Sequence, residues 1–239
     1  MRKFVKDLIL PVAVAITLAF VIQASIAKPY EIPTNSMYPA IQGANSTGDR
    51  APDRVIANRV IYKLRDISRG DVVVFDPTAG ARAACSEPGD VPFVKRVVGL
   101  PGDTVSVRRV TISASNPDPA LRPGGELAVR RVAEPNSFGP DGAREETLGE
   151  GDDTYVTYVQ EPGASTARPL VIDDAITPDY EVAFPTVPEG QVLVLGDNRP
   201  GSCDAHVWIE RDAEFTPMDN VIGQAELIYW PIQRVRFLD

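Results

Sequence analysis

The chain is poor in the side chains that most often hold metals. Its 239 residues include two cysteines and one histidine. A zinc site built from Cys and His runs short of ligands, and a disulfide-dense mini-protein is excluded. Lysine is scarce as well: Lys3, Lys6, Lys28, Lys63 and Lys95 are all there are among 24 basic residues, and arginine supplies the rest. Positive charge is outweighed overall. The net charge of -9 and a pI of about 4.7 argue against a basic nucleic-acid-binding surface. Long segments with a helical apolar period are missing after residue 27.

What remains is a chain with 44% hydrophobic residues, 22 prolines and 18 glycines. That composition supports a buried core with many turns and argues against a helical bundle. Residues 8–27 form one run without a charged side chain. A helix of that length is roughly 30 Å long, which matches a bilayer core. Arg2, Lys3 and Lys6 precede it, so residues 1–7 are expected in the cytoplasm and residues 28–239 outside it. The rival is a cleaved secretory signal, with Ser25-Ile26-Ala27 offering small residues at the cleavage spacing. Either reading puts the folded domain outside the cytoplasm. Because that domain is acidic, contact with the bilayer is expected to be apolar rather than basic.

The remainder reads as short strands between turns. Candidates are 54–62, 72–75, 93–98, 104–111, 126–132, 154–160, 191–195 and 225–230, rich in Val, Ile, Tyr and Thr. Arg69-Gly70-Asp71 and Pro101-Gly102-Asp103 are turn signals before strands. The pattern predicts a mostly antiparallel β domain. Segments 113–125, 133–153 and 161–169 read as surface loops, and about 104–190 as a variable insertion beside the β core.

Three constellations can carry chemistry. Ser36 sits between Pro33 and Pro39, which stiffen the segment. A serine hydroxyl needs a base to become a nucleophile. His206 with Asp204 is one candidate, since alternation along a strand puts both on one face. Lys95 is the better one. In a strand it shares a face with Phe93 and Val97, and desolvation favours the neutral amine, which arginine cannot offer. The third segment, 194–206, leaves a strand through a turn rich in Gly, Asp and Asn. There Asp197 and Asn198 are expected to bond their own backbone, and Ser202 can aim a neighbouring amine.

Four blocks in order resemble bacterial type I signal peptidases, the membrane-anchored serine/lysine proteases of family S26. They are Ile32-Pro33-Thr34-Asn35-Ser36-Met37-Tyr38-Pro39, Gly70 to Phe75, Phe93 to Asp103, and Gly196-Asp197-Asn198-Arg199 through Asp204. The resemblance implies Ser36 as nucleophile and Lys95 as general base. It implies that Ser202 orients Lys95, and that Thr34 with the Ser36 N–H forms the oxyanion hole. Ile32, Met37 and Val94 would line pockets for small residues of Ala-x-Ala sites, while Asp197, Asn198, Arg199 and Asp204 would be structural. The implied partners are signal peptides of exported preproteins and the lipid bilayer, with no nucleic acid, no metal and no cofactor. The implied location is the cell membrane, single-pass. His206 stands where the family often has Arg, which points to a structural role. If Lys95 and Ser202 meet, Cys85 and Cys203 come close enough for a bridge, which an extracytoplasmic site permits. Two other readings are open: a catalytically silent envelope β domain, and a maturation peptidase with one dedicated client.

Overall fold

The computed structural model describes residues 11, 12, 14, 26–38, 40–44, 51–86, 90–111, 144–148, 153–160, 162, 180–199 and 201–238. Most of the apolar run at 8–27, the strand expected at 126–132 and the loop at 113–125 lie outside them. So does most of the loop at 161–169. Among the described residues no helix is long and apolar enough to cross a membrane.

The strands are β1 (Ala27–Glu31), β2 (Arg54–Asn58), β3 (Val72–Phe75), β4 (Phe93–Gly99), β5 (Thr104–Thr111) and β6 (Arg144–Leu148). They continue with β7 (Asp153–Gln160), β8 (Tyr180–Ala183), β9 (Gln191–Leu195), β10 (Phe215–Pro217), β11 (Val221–Trp230) and β12 (Arg236–Phe237). Two short helices are α1 (Ala79–Cys85) and α2 (Ala205–Trp208). An eight-stranded sheet runs β1-β2-β11-β3-β4-β9-β10, with β12 on β11, and a four-stranded sheet runs β6-β7-β5-β8. Neighbours in both sheets pair antiparallel. The chain is thus mostly antiparallel β, as its Val-rich runs and turn signals predict.

Several boundaries differ from the sequence expectation. Ala27 ends the apolar run, yet it pairs with Asn58 as the first residue of β1. The strand expected over 54–62 stops at Asn58, whose side-chain Oδ1 accepts the Val60 N–H and turns the chain into a 3-10 segment. Within the loop expected at 133–153, Arg144–Leu148 pairs with β7 as a strand.

Glycine is required where two turns launch strands. Gly70 and Gly102 have φ of 94° and 86°, a region costly for residues with a Cβ. The second turn links β4 to β5 and opens an excursion into the smaller sheet. The chain returns from β8 to β9, which lies beside β4. Lys95 and the segment after Leu195 therefore stay adjacent whatever happens between them. One apolar core joins both sheets through Val97, Leu193 and Leu195 on one side and Val105, Val107 and Val159 on the other. A second core holds Ile32, Met37, Ile41, Val55, Val72, Val74 and Ile228. Burying each such side chain contributes roughly 1.5–3 kcal/mol.

Candidate active site

The segment between β1 and β2 carries Ser36 and is fixed from three sides. Ile32, Met37 and Ile41 are buried in the second core. Tyr38 N–H donates to the Asn35 carbonyl at 3.0 Å, closing a turn with Ser36 at its second position. Gly43 N–H donates to Asn35 Oδ1 at 2.9 Å. A Cβ on Gly43 would fall 2.3 Å from the Thr34 carbonyl, so only glycine permits this packing. On the far side, Asn198 N–H donates to the Ser36 carbonyl at 3.0 Å. Asn198 Nδ2 also donates to the Asn35 carbonyl at 3.1 Å.

Lys95 lies mid-strand in β4, paired with Val73, and is 4% exposed. Its Nζ donates to Ser36 Oγ at 2.8 Å. Thr34 Oγ1 donates to the same oxygen at 3.3 Å. A buried amine and a buried hydroxyl are thus in direct hydrogen-bond contact, within the reach a proton transfer between them requires.

The segment after β9 forms the opposite wall. Ser202 is buried, and its Oγ has no hydrogen-bond partner among the described residues. Gly196 is wedged so tightly that a Cβ would lie 2.2 Å from Ser202 Oγ and 2.5 Å from the Ser36 carbonyl oxygen. The sequence predicts that Asp197 bonds its own turn, and among the described residues it does not. Instead its carboxylate takes two bonds from Arg96, at 2.8 and 2.7 Å. Arg96 lies beside Lys95 on the opposite strand face, so the pair ties β4 to this loop. Asn198 likewise reaches across to the nucleophile segment. The turn explanation failed because strand neighbours offered better partners than local backbone. Arg199, in the same loop, is buried as well.

Asp204 and His206 do not alternate along a strand. Asp204 caps α2, its Oδ1 accepting the His206 N–H at 3.3 Å. The same oxygen lies 2.6 Å from His206 Nδ1, and Oδ2 accepts the Gly196 N–H at 2.7 Å. Burial by itself raises the Asp204 carboxyl. The His206 hydrogen bond and the charges of His206, Lys95 and Arg199 outweigh it and bring the pKa down to about 2. His206 is thus engaged with Asp204, and Lys95 is the group on Ser36.

Cys85, at the end of α1, and Cys203 are joined in a disulfide. Trp208 of α2 donates to Cys85 Sγ at 3.0 Å and packs on Phe75 and Phe93. The bridge and the indole together fasten the segment that bears Ser202 and Asp204. Of the expected pocket residues, Met37 and Ile32 are core, and Val94 is half-buried at its edge.

Sequence reasoning missed Asp53 and Arg234. Asp53 is fully buried and takes two bonds from Arg234, both at 2.8 Å. Its Oδ2 also accepts the Gln42 N–H at 2.8 Å, and its carbonyl accepts the Ile32 N–H at 3.0 Å. Both ends of the nucleophile segment hang on this residue. The partners are 181 positions apart, so no local pattern signals them.

The antiparallel β fold thus brings the Ser36 hydroxyl and the Lys95 amine into direct contact at 2.8 Å. Residues 5–230 match the family described as signal peptidase, peptidase S26, and the chain belongs to that family. It is a serine endopeptidase of the signal peptidase type. Among its relatives is the Synechocystis sp. protein named "Probable signal peptidase I-2", 30% identical over 94% of this chain and 72% of that one. Signal peptidase I of Leptolyngbya laminosa is 27% identical over 94% of this chain and 79% of its own. Signal peptidase I of Pseudomonas fluorescens is 31% identical over 92% and 72%.

Proposed function

We propose that this signal peptidase cleaves exported preproteins after small residues through a Ser36–Lys95 dyad. The observation that carries the reading is the 2.8 Å contact between Lys95 Nζ and Ser36 Oγ, with both residues buried. In the neutral state the amine accepts the Ser36 proton as Oγ attacks the scissile carbonyl. The protonated amine then gives that proton to the leaving nitrogen. A water, deprotonated by Lys95, hydrolyses the acyl-enzyme. The Ser36 N–H and the Thr34 hydroxyl receive the developing oxyanion. Thr34 Oγ1 lies 3.3 Å from Ser36 Oγ, and its hydroxyl turns from that oxygen to the carbonyl oxygen bound beside it; such donors contribute roughly 3–4 kcal/mol each. Ser202 stands at the wall behind the dyad and orients the amine once substrate excludes water.

The remaining parts suit a substrate held at a membrane. The apolar run that ends at Ala27 anchors the chain in the cell membrane, with residues 1–7 cytoplasmic and the folded domain, which opens with β1, outside. Ser36 lies nine residues beyond the apolar run. That tether raises the effective concentration of the serine toward membrane-bound preproteins. Val94, at the edge of the second core, borders the site for a small substrate side chain.

The test is cleavage of a preprotein bearing an Ala-x-Ala site, in detergent, by wild type, Ser36→Ala, Lys95→Ala and Lys95→Arg. Wild type cleaves after the final Ala and all three variants lose at least about a thousandfold in kcat. Full activity in Lys95→Arg would show that only charge or packing is needed, and the dyad would be wrong.

A further inference from the structure

The oxyanion donor at Ser36 is a main-chain N–H, and its direction is set by the peptide unit that joins Asn35 to Ser36. A trans peptide is planar, so its N–H and C=O point in opposite directions. Whatever fixes the Asn35 carbonyl therefore aims the Ser36 N–H. Two donors hold this carbonyl, and they come from different parts of the fold. Tyr38 N–H donates at 3.0 Å from within the same turn. Asn198 Nδ2 donates at 3.1 Å from the loop after β9, 163 positions away in sequence. A carbonyl only accepts, so the amide nitrogen of Asn198 is the atom that faces it. The turn bond alone lets the peptide plane rock about one contact, whereas a second donor from outside the turn stops that rotation. The Asn198 side chain is itself held in place. The residue is 9% exposed, and a Cβ on Gly201 would lie 2.5 Å from Nδ2, so glycine there leaves the amide its seat. β9 pairs with β4, the strand of Lys95. The amide thus ties the direction of the Ser36 N–H to the frame that carries the base.

We propose that Asn198 is a positioning residue whose side-chain amide fixes the Asn35–Ser36 peptide plane and so keeps the Ser36 N–H aimed at the oxyanion. The inference rests on the reading of Ser36 as nucleophile with its own N–H in the oxyanion hole. The amide acts through that N–H, which gains most when the carbonyl oxygen of the substrate takes on charge. Its removal therefore lowers kcat and leaves ground-state binding in place. The bond from the Asn198 main-chain N–H to the Ser36 carbonyl, at 3.0 Å, does not depend on the side chain, so the nucleophile segment stays docked on the loop.

The experiment compares the full chain in detergent as wild type, Asn198→Ala and Asn198→Asp, with thermal unfolding recorded for each. Asn198→Asp keeps the shape and puts an acceptor where the donor was, so it serves if the space left by alanine prevents folding. One readout is kcat and KM for the same preprotein. The other is inhibition by a peptide aldehyde ending in an Ala-x-Ala sequence. Ser36 Oγ adds to the aldehyde carbon, and the former carbonyl oxygen becomes the hemiacetal oxygen that occupies the hole. In both variants kcat should fall about tenfold to a hundredfold while KM stays within about twofold of wild type. Aldehyde inhibition should weaken by a similar factor, and Asn198→Asp should lose more than Asn198→Ala. A merely structural role would lower Tm and leave both readouts of the folded protein where they were. Unchanged kcat in the folded variants, or a loss carried by KM with aldehyde inhibition intact, overturns the proposal. The underlying reading is tested separately by Ser36→Ala. If that variant binds the aldehyde as tightly as wild type, Ser36 is not the nucleophile and the oxyanion hole falls with it. If it does not bind, and the Asn198 variants match wild type, only the role of Asn198 is removed.

Discussion

Arg234→Ala tests how the nucleophile segment is held, far from the reacting atoms. Asp53 has both carboxylate oxygens engaged by Arg234 and one also by the Gln42 N–H. Its main chain bonds Ile32 and Gln42, so it clasps the segment from 32 to 42 at both ends. Truncating Arg234 leaves a fully buried carboxylate with one backbone donor. Removing one member of a buried pair costs about 3–5 kcal/mol. Arg234 is 26% exposed, so water can enter where its guanidinium was, and the lower end, about 3 kcal/mol, applies. In a chain of this size that lowers Tm by about 6–12 °C. The segment then loosens around Ser36, and a displacement of about 1 Å lowers kcat on the order of a hundredfold at temperatures where the protein remains folded. Arg234→Lys keeps the charge but loses the two-pronged geometry, and should fall between. Asp53→Asn combined with Arg234→Ala should recover part of the stability, because no charge is left unpaired. Urea denaturation and preprotein cleavage on the four proteins give both readouts. A loss under about 1 kcal/mol with full activity in Arg234→Ala would refute the argument.

Two further outcomes follow from the opposite wall. Gly196→Ala should fold yet lose kcat on the order of a hundredfold, because its Cβ meets Ser202 Oγ and the Ser36 carbonyl and forces them apart. A wild-type kcat in that variant would mean the wall yields freely. Acid titration provides the second. The Asp204 carboxyl is held at about 2, below its ordinary 3.8, so the folded state favours the ionised form. That contribution is fully present above about pH 4 and is lost as pH falls to about 2, on the order of 2 kcal/mol in all. The stability gap between wild type and Asp204→Asn, measured in urea, should narrow over that interval. A constant gap would show that Asp204 does not titrate there.

The strands legible in the sequence are those whose side chains are buried on both sides or alternate in a long run. Val72–Phe75, Thr104–Thr111 and Gln191–Leu195 fall where the Val-rich pattern puts them. The first and third sit inside the large sheet, where β-branched residues are demanded by burial. The strands that escaped notice have other physics. β1 and β10 contain Pro29 and Pro217 and form the two ends of the sheet order. Proline is tolerated there because an edge strand leaves some N–H positions unpaired, so the residue that argues against a strand in isolation marks an edge. β12 has two residues, too few for any period to show. α1 is seven residues of mostly alanine, started by Thr78, whose Oγ1 accepts the Ala81 N–H. Its position is fixed by the disulfide to Cys203, a partner 118 residues away.

The site divides along the same line. Ser36 and Lys95 could be singled out because their chemistry is local: a stiffened serine, and a scarce lysine on an apolar strand face. Asp197 and Asn198 show where local reasoning ends. A turn composition predicts bonds within the turn, and a free peptide would make them. In the fold the Arg96 guanidinium arrives from the adjacent strand with two donors aimed at one carboxylate. A charged, two-pronged contact is stronger than a neutral bond to local backbone, so the tertiary partner wins. Asp204 follows the same logic with a different result. It keeps its local role as a helix cap while its second oxygen holds Gly196 eight residues back. One carboxylate thereby joins the start of α2 to the wall facing Ser36. Ser36 and Lys95, the proposed nucleophile and base, are written in short words of sequence. The charge pairs that fasten the flanking segments, Arg96 with Asp197 and Arg234 with Asp53, join positions far apart in sequence and become visible only when the strands that carry them are laid side by side.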